Sequence, residues 1–361
     1  MSSVRLPWVI LLVSLLGAGA VRADDLDLSV EPTVSPVAWS GDWLVRGDVV
    51  RSEPGGDHVT RLWTRLRYGP TWQINDQWTL GGALRIDEST VGNEHVIWYN
   101  DNERSRDLAL DSLSLAYAPT QDDRLLLGKS AFPLVLSRML WDPDLRPAGI
   151  SYAHSVPFGD QNTFRVTGGG FRGEQLFGDQ SRIVALQLDL SLHQASLLAP
   201  EFILTGMRFS NLDALAAAGL NRDNRIVNGH FADQFELIDA QFIVHVNTSL
   251  PMRFLLDLDR NVKASAKDKA ARFEFAVGNS FRAHGQEIGI AVERIQRESV
   301  LGAFNDDDWW FHAGMRGTMV WWAYGISDQV RLRAAFFREQ PDWDSYSYAT
   351  RRLLLDLQWA L

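Results

Sequence analysis

The sequence predicts an all-β fold: a transmembrane antiparallel β-barrel of about sixteen strands, with short periplasmic turns and longer extracellular loops. Three observations carry this expectation. Segments of about ten residues alternate apolar with polar or small side chains along most of the chain, which is the period of a strand. The connectors between these segments alternate between short and long, as they do in transmembrane barrels. The polar faces carry ladders of arginine, too many charges for a dry core but suited to a wet lumen.

The elements follow in order. Arg5, the apolar run from Leu6 to Leu16, and small residues up to Ala23 read as a secretory signal peptide over 1–23, cleaved before Asp24. Its apolar stretch ends by Val21, short of the roughly 18 residues a membrane-retained helix needs. Residues 24–38, with Pro32 and Pro36, make an extended periplasmic lead-in, and 39–361 make the barrel. Segments start near residues 43, 59, 77, 107, 123, 148, 162, 182, 196, 235, 251, 271, 285, 309, 328 and 350. In the second, Leu62, Leu66 and Tyr68 share one face and Arg61, Trp63, Arg65 and Arg67 the other. In the last, Leu353, Leu355, Leu357, Trp359 and Leu361 oppose Arg352, Asp356 and Gln358.

The longer connectors are 52–58, 88–106, 130–147, 173–181, 208–234, 261–270, 296–308 and 340–349. Sixteen strands place all of them on one side, at about 21 residues per strand and connector, which suits bilayer strands of about 9–11 residues. Helical spacing occurs only over Leu212 to Leu220, as a short loop helix. Aromatics crowd the segment ends, in Trp39 and Trp43, Trp72 and Trp78, Trp309-Trp310-Phe311, and Trp321-Trp322 with Tyr324, as interfacial girdles require. The competing architecture is a soluble periplasmic β-sandwich, whose strands also alternate. It accounts for neither the arginine ladders nor a chain that stops on a strand with its edge to be paired.

Composition narrows the function. A net charge of −10 opposes nucleic-acid binding, and the absence of cysteine excludes disulfides, thiolate metal sites and a cysteine nucleophile. The eight histidines never take ligand spacing, so no zinc site and no cofactor is expected.

One stretch resembles a known family. Gly128-Lys129 ends a strand, and Leu140-Trp141-Asp142-Pro143-Asp144-Leu145-Arg146-Pro147-Ala148-Gly149-Ile150-Ser151-Tyr152 follows. This is similar to the Trp-Asp-x-Asp-Leu-x-Pro-x-Gly stretch of a Gram-negative outer-membrane porin family. The chain departs from that family at Ala148, where glutamate is frequent, and at Leu361, where such barrels usually end in phenylalanine. The resemblance implies a passive channel in the cell outer membrane for small hydrophilic solutes or ions. It also implies outer-membrane lipid and the barrel assembly machinery as partners, and a homotrimer by analogy with sixteen-stranded porins.

Candidate functional residues follow from strand parity. Arg46, Arg61, Arg65, Arg67 and Arg85 fall on one inner wall and raise the potential for anions, unless Asp48 and Asp87, on the same faces, pair with them. Asp189, Asp239, Asp257 and Asp259 form an opposing acidic wall. The connector 130–147 is too apolar for a solvated loop, and Pro133, Pro143 and Pro147 bar it from continuing a strand. It is expected either to fold inward, with Arg138, Asp142, Asp144 and Arg146 at a constriction, or to cap the rim. Gly168-Gly169-Gly170 and Gly81-Gly82 lack the helix that follows a phosphate loop. Asp306-Asp307-Asp308 reads as a solvated acidic loop rather than a calcium site.

Two other functions remain to be separated from a diffusion channel. One is a sugar or polymer exporter with Trp63 and Phe337 as a stacking track. The other is a barrel hydrolase, for which His154 lacks a serine on its own face and His95, Asp101, Asp223, His230 and Asp233 lie in loops. No enzyme activity is expected.

Overall fold

Why strands form here is visible in each segment: β-branched and aromatic residues alternate with polar ones, and glycine, proline, asparagine or aspartate break the runs. The computed structural model describes residues 36–53, 58–90, 108–173, 180–194, 196–342 and 349–361. The segment expected to be a signal peptide, its expected cleavage site, most of the expected lead-in, and His95 and Asp101 lie outside the described residues.

The strands are β1 (Val37–Glu53), β2 (His58–Gln73), β3 (Trp78–Ser89), β4 (Ala109–Tyr117), β5 (Asp123–Lys129) and β6 (Ala148–Phe158). They continue as β7 (Asn162–Arg172), β8 (Arg182–Ser191) and β9 (Leu198–Ser210). One loop then holds the helix α1 (Asp213–Ala217) and a hairpin of β10 (Ile226–Val227) and β11 (His230–Phe231). The remaining strands are β12 (Glu236–Val246), β13 (Met252–Asn261), β14 (Lys269–Gly278), β15 (Gln286–Ile295), β16 (Met315–Gly325), β17 (Val330–Pro341) and β18 (Ala349–Ala360).

All but the hairpin pair with their chain neighbours and close into one sixteen-stranded antiparallel barrel, β1 meeting β18 over Asp42↔Ala360 to Glu53↔Ala349. Closure leaves no free edge, which a strand in lipid cannot tolerate. The soluble sandwich is thereby excluded. Both strand ends of the barrel, at Val37 and Ala360, fall at the short-turn end.

Parity divides outside from inside. Leu84, Leu113, Ile150, Val184, Leu258 and Leu355 are about half exposed on the outer wall, a band of the kind lipid covers. Arg61, Arg67, Asp239, Asp257, Arg272 and Arg352 are buried on the inner one. Aromatic pairs stand outside near the turn end: Trp39 on Tyr68 at 5.6 Å, Trp43 by Trp359 at 6.0 Å, and Trp78 on Tyr117 at 4.4 Å.

Three expectations change. β1 begins at Val37 rather than 43, because the pairing with β2 extends down to Val37↔Trp72. β16 begins at Met315 rather than 309, and Trp309, Trp310 and Phe311 are 3–5% exposed inside the barrel, not in a girdle. Trp321 also turns inward, its indole N–H donating to Glu287 at 2.8 Å, while Trp322 stays outside.

Candidate functional site

The lumen is narrowed by two loops that enter it from the long-loop end. L3 (residues 130–147) joins β5 to β6, and L7 (residues 296–314) joins β15 to β16. L3 folds inward: Met139, Leu140, Trp141 and Leu145 are 1–5% exposed, and Phe132 stacks on Trp141 at 4.3 Å and meets Phe171 of β7 at 4.7 Å. L7 enters as well, and its burial is nearly complete from Val300 to Met315.

The two loops are hydrogen-bonded to each other, Asp142 N–H to the Phe304 carbonyl at 2.7 Å and Asp306 N–H to the Arg138 carbonyl at 3.0 Å. Trp141 and Phe304 stack between them at 5.4 Å, nearly parallel. The barrel wall has room for this plug. Gly317 of β16 faces inward, and a Cβ there would lie 2.4 Å from the Trp309 ring; Trp309 meets Phe337 edge-on at 5.0 Å. Asn224 of the fifth long loop, L5 (residues 211–235), fastens L7 through the Arg297 and Val300 carbonyls and the Gly302 N–H. A continuous apolar core therefore fills part of the long-loop half of the barrel, where parity alone predicts water. Phe337, fully buried in it, offers no stacking surface to a passing sugar.

The five arginines expected on the basic wall are buried on inward strand faces, each beside a carboxylate. Arg46 opposes Asp356 across β1 and β18 and bonds it at 2.7 and 3.1 Å, and also bonds Asp308 of L7 at 2.6 Å. Arg61 opposes Asp48 and bonds it at 2.9 Å; Arg352 bonds the same carboxylate at 3.1 and 2.8 Å. Arg65 pairs with Asp144 of L3 and with Asp42 at 3.3 Å. Arg67 reaches Asp111 at 2.9 Å and Asp144 at 3.1 Å, and Arg85 bonds Asp87 at 2.7 Å. All five arginines thus face carboxylates. Trp63 sits between two of them, its ring 5.7 Å from the Arg46 guanidinium and 5.5 Å from that of Arg65.

L3 and L7 supply the other half of this ion lattice. Asp308 is shared by Arg46, Arg333 at 3.0 Å and Arg138 at 3.2 Å, and Arg138 also bonds Asp306 at 2.8 Å. Burial works against both loop carboxylates, yet Arg46 and Arg333 hold Asp308, and Arg65 and Arg67 hold Asp144, well below the usual carboxylate range. Arg146 reaches Asp111 at 3.5 Å, and Asp142 accepts from the Asp144 N–H at 2.8 Å. Asp306 and Asp308 are thus buried ion-pair partners at 3–4% exposure, not members of a solvated acidic loop. Asp142, Asp306 and Asp307 bring carboxylate oxygens within 4.8 Å of one another, but Arg138 already supplies countercharge at Asp306.

Asp111 is the residue that alternation alone misses. A register shift between Ala83 and Leu84 of β3 leaves Asp111 of β4 unpaired, beside Ser112, with its side chain buried at Arg67. A bulge re-aims side chains in this way. Glu339 is the other: its carboxylate accepts the N–H groups of Trp310 and Phe311 at 2.9–3.0 Å, capping L7 from β17.

On the opposite wall, Asp239 and Asp259 lie directly across β12 and β13, and Asp257 lies across from Gln241 on one side and Arg272 on the other. All three are at most 4% exposed, and no ion pair reaches them among the described residues. Arg272 is turned to Glu293 and Glu274, at 2.6 and 2.7 Å. L3 covers this wall, the Val135 carbonyl accepting from Gln187 at 2.9 Å and from Gln241 at 3.2 Å. Asp189, on β8, sits apart and accepts from Ser191 at 3.0 Å.

Open space remains beside L3. A cavity of about 480 Å³ runs along the inner faces of β4 to β7, lined by Ser114, Arg124, Ser130, Ser151, Arg165 and Thr167. Outside, His154 pairs with Asp123 at 2.8 Å and Tyr152 donates to the same carboxylate, while Ser151 and Ser155 face inward. That arrangement holds no serine nucleophile. His230 of L5 pairs with Asp213 at 2.8 Å, not with Asp223 or Asp233.

No family model and no curated protein matches this chain. Among solved structures it is similar to the high-pH form of Pseudomonas putida OprB, with a TM-score of 0.61 at 11% identity, over 91% of this chain and 94% of that one. It is also similar to Salmonella typhi OmpF in complex with daunomycin (0.54, 10% identity, 90% and 97% covered) and to a mutant of the Rh. blastica porin (0.52, 10%, 90% and 100%). At these identities the likeness is one of fold. The chain has the fold of the porin-like outer-membrane barrels.

Proposed function

We propose that this protein is an outer-membrane channel for passive diffusion of small hydrophilic solutes, with L3 and L7 forming a charged constriction. The observation that carries this reading is a closed barrel, apolar outside and ionised inside, with a polar cavity beside L3. The fold likeness to porins supports it. Selectivity rests on which lumen charges lack a counter-ion. The arginines of the basic wall are neutralised by carboxylates, and Asp239, Asp257 and Asp259 are buried beneath L3, so neither wall presents a free charge to the lumen.

The test is conductance in planar bilayers across a salt gradient. The wild-type channel is expected to pass current with little preference between cations and anions, and Asp239→Asn with Asp257→Asn is expected to leave the reversal potential unchanged. A membrane-inserted protein that passes no current ends the channel reading. One with a strong preference for either ion ends the selectivity reading alone.

A further inference from the structure

The geometry points to a binding site for a small zwitterion of the amino-acid class on the inner wall of β5 to β9, Arg124 and Arg165 receiving its carboxylate and Asp189 and Glu201 its ammonium. This deepens the channel reading and rests on it.

The site is built around a facing pair that does not close. Elsewhere in the lumen several opposite charges that face each other across strands form ion pairs, as Arg46 does with Asp356, Arg61 with Asp48 and Arg272 with Glu293. Arg165 of β7 and Asp189 of β8 also face each other directly, which sets their Cα atoms about 5 Å apart. They make no ion pair among the described residues. Each is turned to a serine instead: Arg165 Nε donates to Ser155 Oγ at 3.1 Å, and Asp189 accepts from Ser191 at 3.0 Å.

Neighbouring strands extend both halves. Arg124 of β5 faces Ala153, whose other partner is Thr167 of β7, two residues from Arg165. Glu201 of β9 faces Ser191 and so stands diagonal to Asp189. Neither Arg124 nor Glu201 has an ion pair among the described residues. Arg253 of β13, further round the same wall, is taken up by Glu274 at 2.6 Å. Two cations and two anions balance, so this wall has no net charge with which to favour a simple ion. A single solute carrying both charges makes charge-assisted hydrogen bonds to both halves, with one loss of translational freedom where two separate ions suffer two.

The space beside these groups suits such a solute. The cavity of about 480 Å³ next to L3 is lined by Arg124 and Arg165 and by the hydroxyls of Ser114, Ser130, Ser151 and Thr167. Its lining therefore offers hydrogen bonds, and no further charge, to a small polar side chain.

The experiment titrates detergent-purified full-length protein with L-serine, L-lactate, ethanolamine and glycerol at pH 7, reading affinity by saturation-transfer NMR, and records the conductance of each variant in planar bilayers. Serine is expected to bind at least tenfold more tightly than lactate, ethanolamine or glycerol, each of which lacks one or both of its charges. R124Q/R165Q and D189N/E201Q, each checked for folding by heat-modified gel mobility, are expected to lose about tenfold in serine affinity. The charge-keeping R124K/R165K variant should retain most of it, and R282Q, on the turn after β14, should change nothing. Equal serine affinity in the neutralised variants and the wild type would overturn the site, as would lactate or ethanolamine binding as tightly as serine. Conductance reports separately on the channel: an inserted wild type that passes no current speaks against the channel reading, while current without preferential serine binding speaks against this site alone.

Discussion

Asp308 shows how much one side chain decides in this lumen. It is buried in L7 and shared by Arg46, Arg138 and Arg333, two of them on the wall and one on L3. Asp308→Asn leaves those guanidiniums short of an anion, and breaking a buried pair costs about 3–5 kcal/mol. The expected outcome is release of L7 from the wall with a rise in single-channel conductance, and a lower thermal midpoint by heat-modified gel mobility. Glu298 acts at the other end of L7. Burial pushes its carboxyl up to about 7, against Arg225 and Arg297 nearby and with Asp233 adding to the rise, and its Oε1 accepts the Arg225 N–H at 3.0 Å. A carboxyl raised in the folded state favours its protonated form, so the packing that buries Glu298 is most stable below the unfolded value, about 4.3, and loses stability as pH rises toward 7. Hydrogen exchange in L7, corrected for intrinsic rates, should therefore quicken between pH 5 and pH 8. Glu298→Gln should remove most of that dependence.

At the scale of elements, strands were legible and loops were not. Fourteen of the sixteen segment starts read from alternation lie within two residues of the observed strands, because period two is a local property of side chains on a pleat. The displaced ones are instructive. Trp309-Trp310-Phe311 reads locally as the start of a strand, but Glu339 binds the N–H groups of Trp310 and Phe311, and Gly317 accommodates Trp309, so the segment belongs to L7. L3 was recognisable by its prolines and excess apolar residues, whereas its destination depended on Phe171 and Phe304, which are distant in sequence. Deleting residues 134–142 is expected to raise single-channel conductance. Because L7 is packed against L3 and not merely beside it, Gly317→Val, which displaces Trp309, should raise conductance as well; no change in either correctly inserted variant would show that the loops do not limit flow.

On the proposed channel reading, the balance of lumen charge sets what passes through the whole molecule. Arg61, Arg65 and Arg67, taken alone, look like an anion filter, but Asp48, Asp42, Asp111 and Asp144 neutralise them. Replacing the three arginines by glutamine therefore exposes carboxylates without removing any uncompensated positive charge. The reversal potential in a salt gradient should move toward cation selectivity. An unchanged reversal potential would mean that these ion pairs lie out of reach of the permeant ions.

Sequence by itself determined the barrel class, its strand number and the inward set of arginines and aspartates, since these follow from alternation and connector length. Tertiary structure decided which charges cancel, where the bulge at Asp111 points, and that L3 and L7 enter together as a partly dry plug. The reason is range. Which way a residue faces is set by its neighbours in the strand, whereas its partner across the lumen is set by closure of the barrel, which brings residues such as Arg46 and Asp356 into contact from opposite ends of the chain.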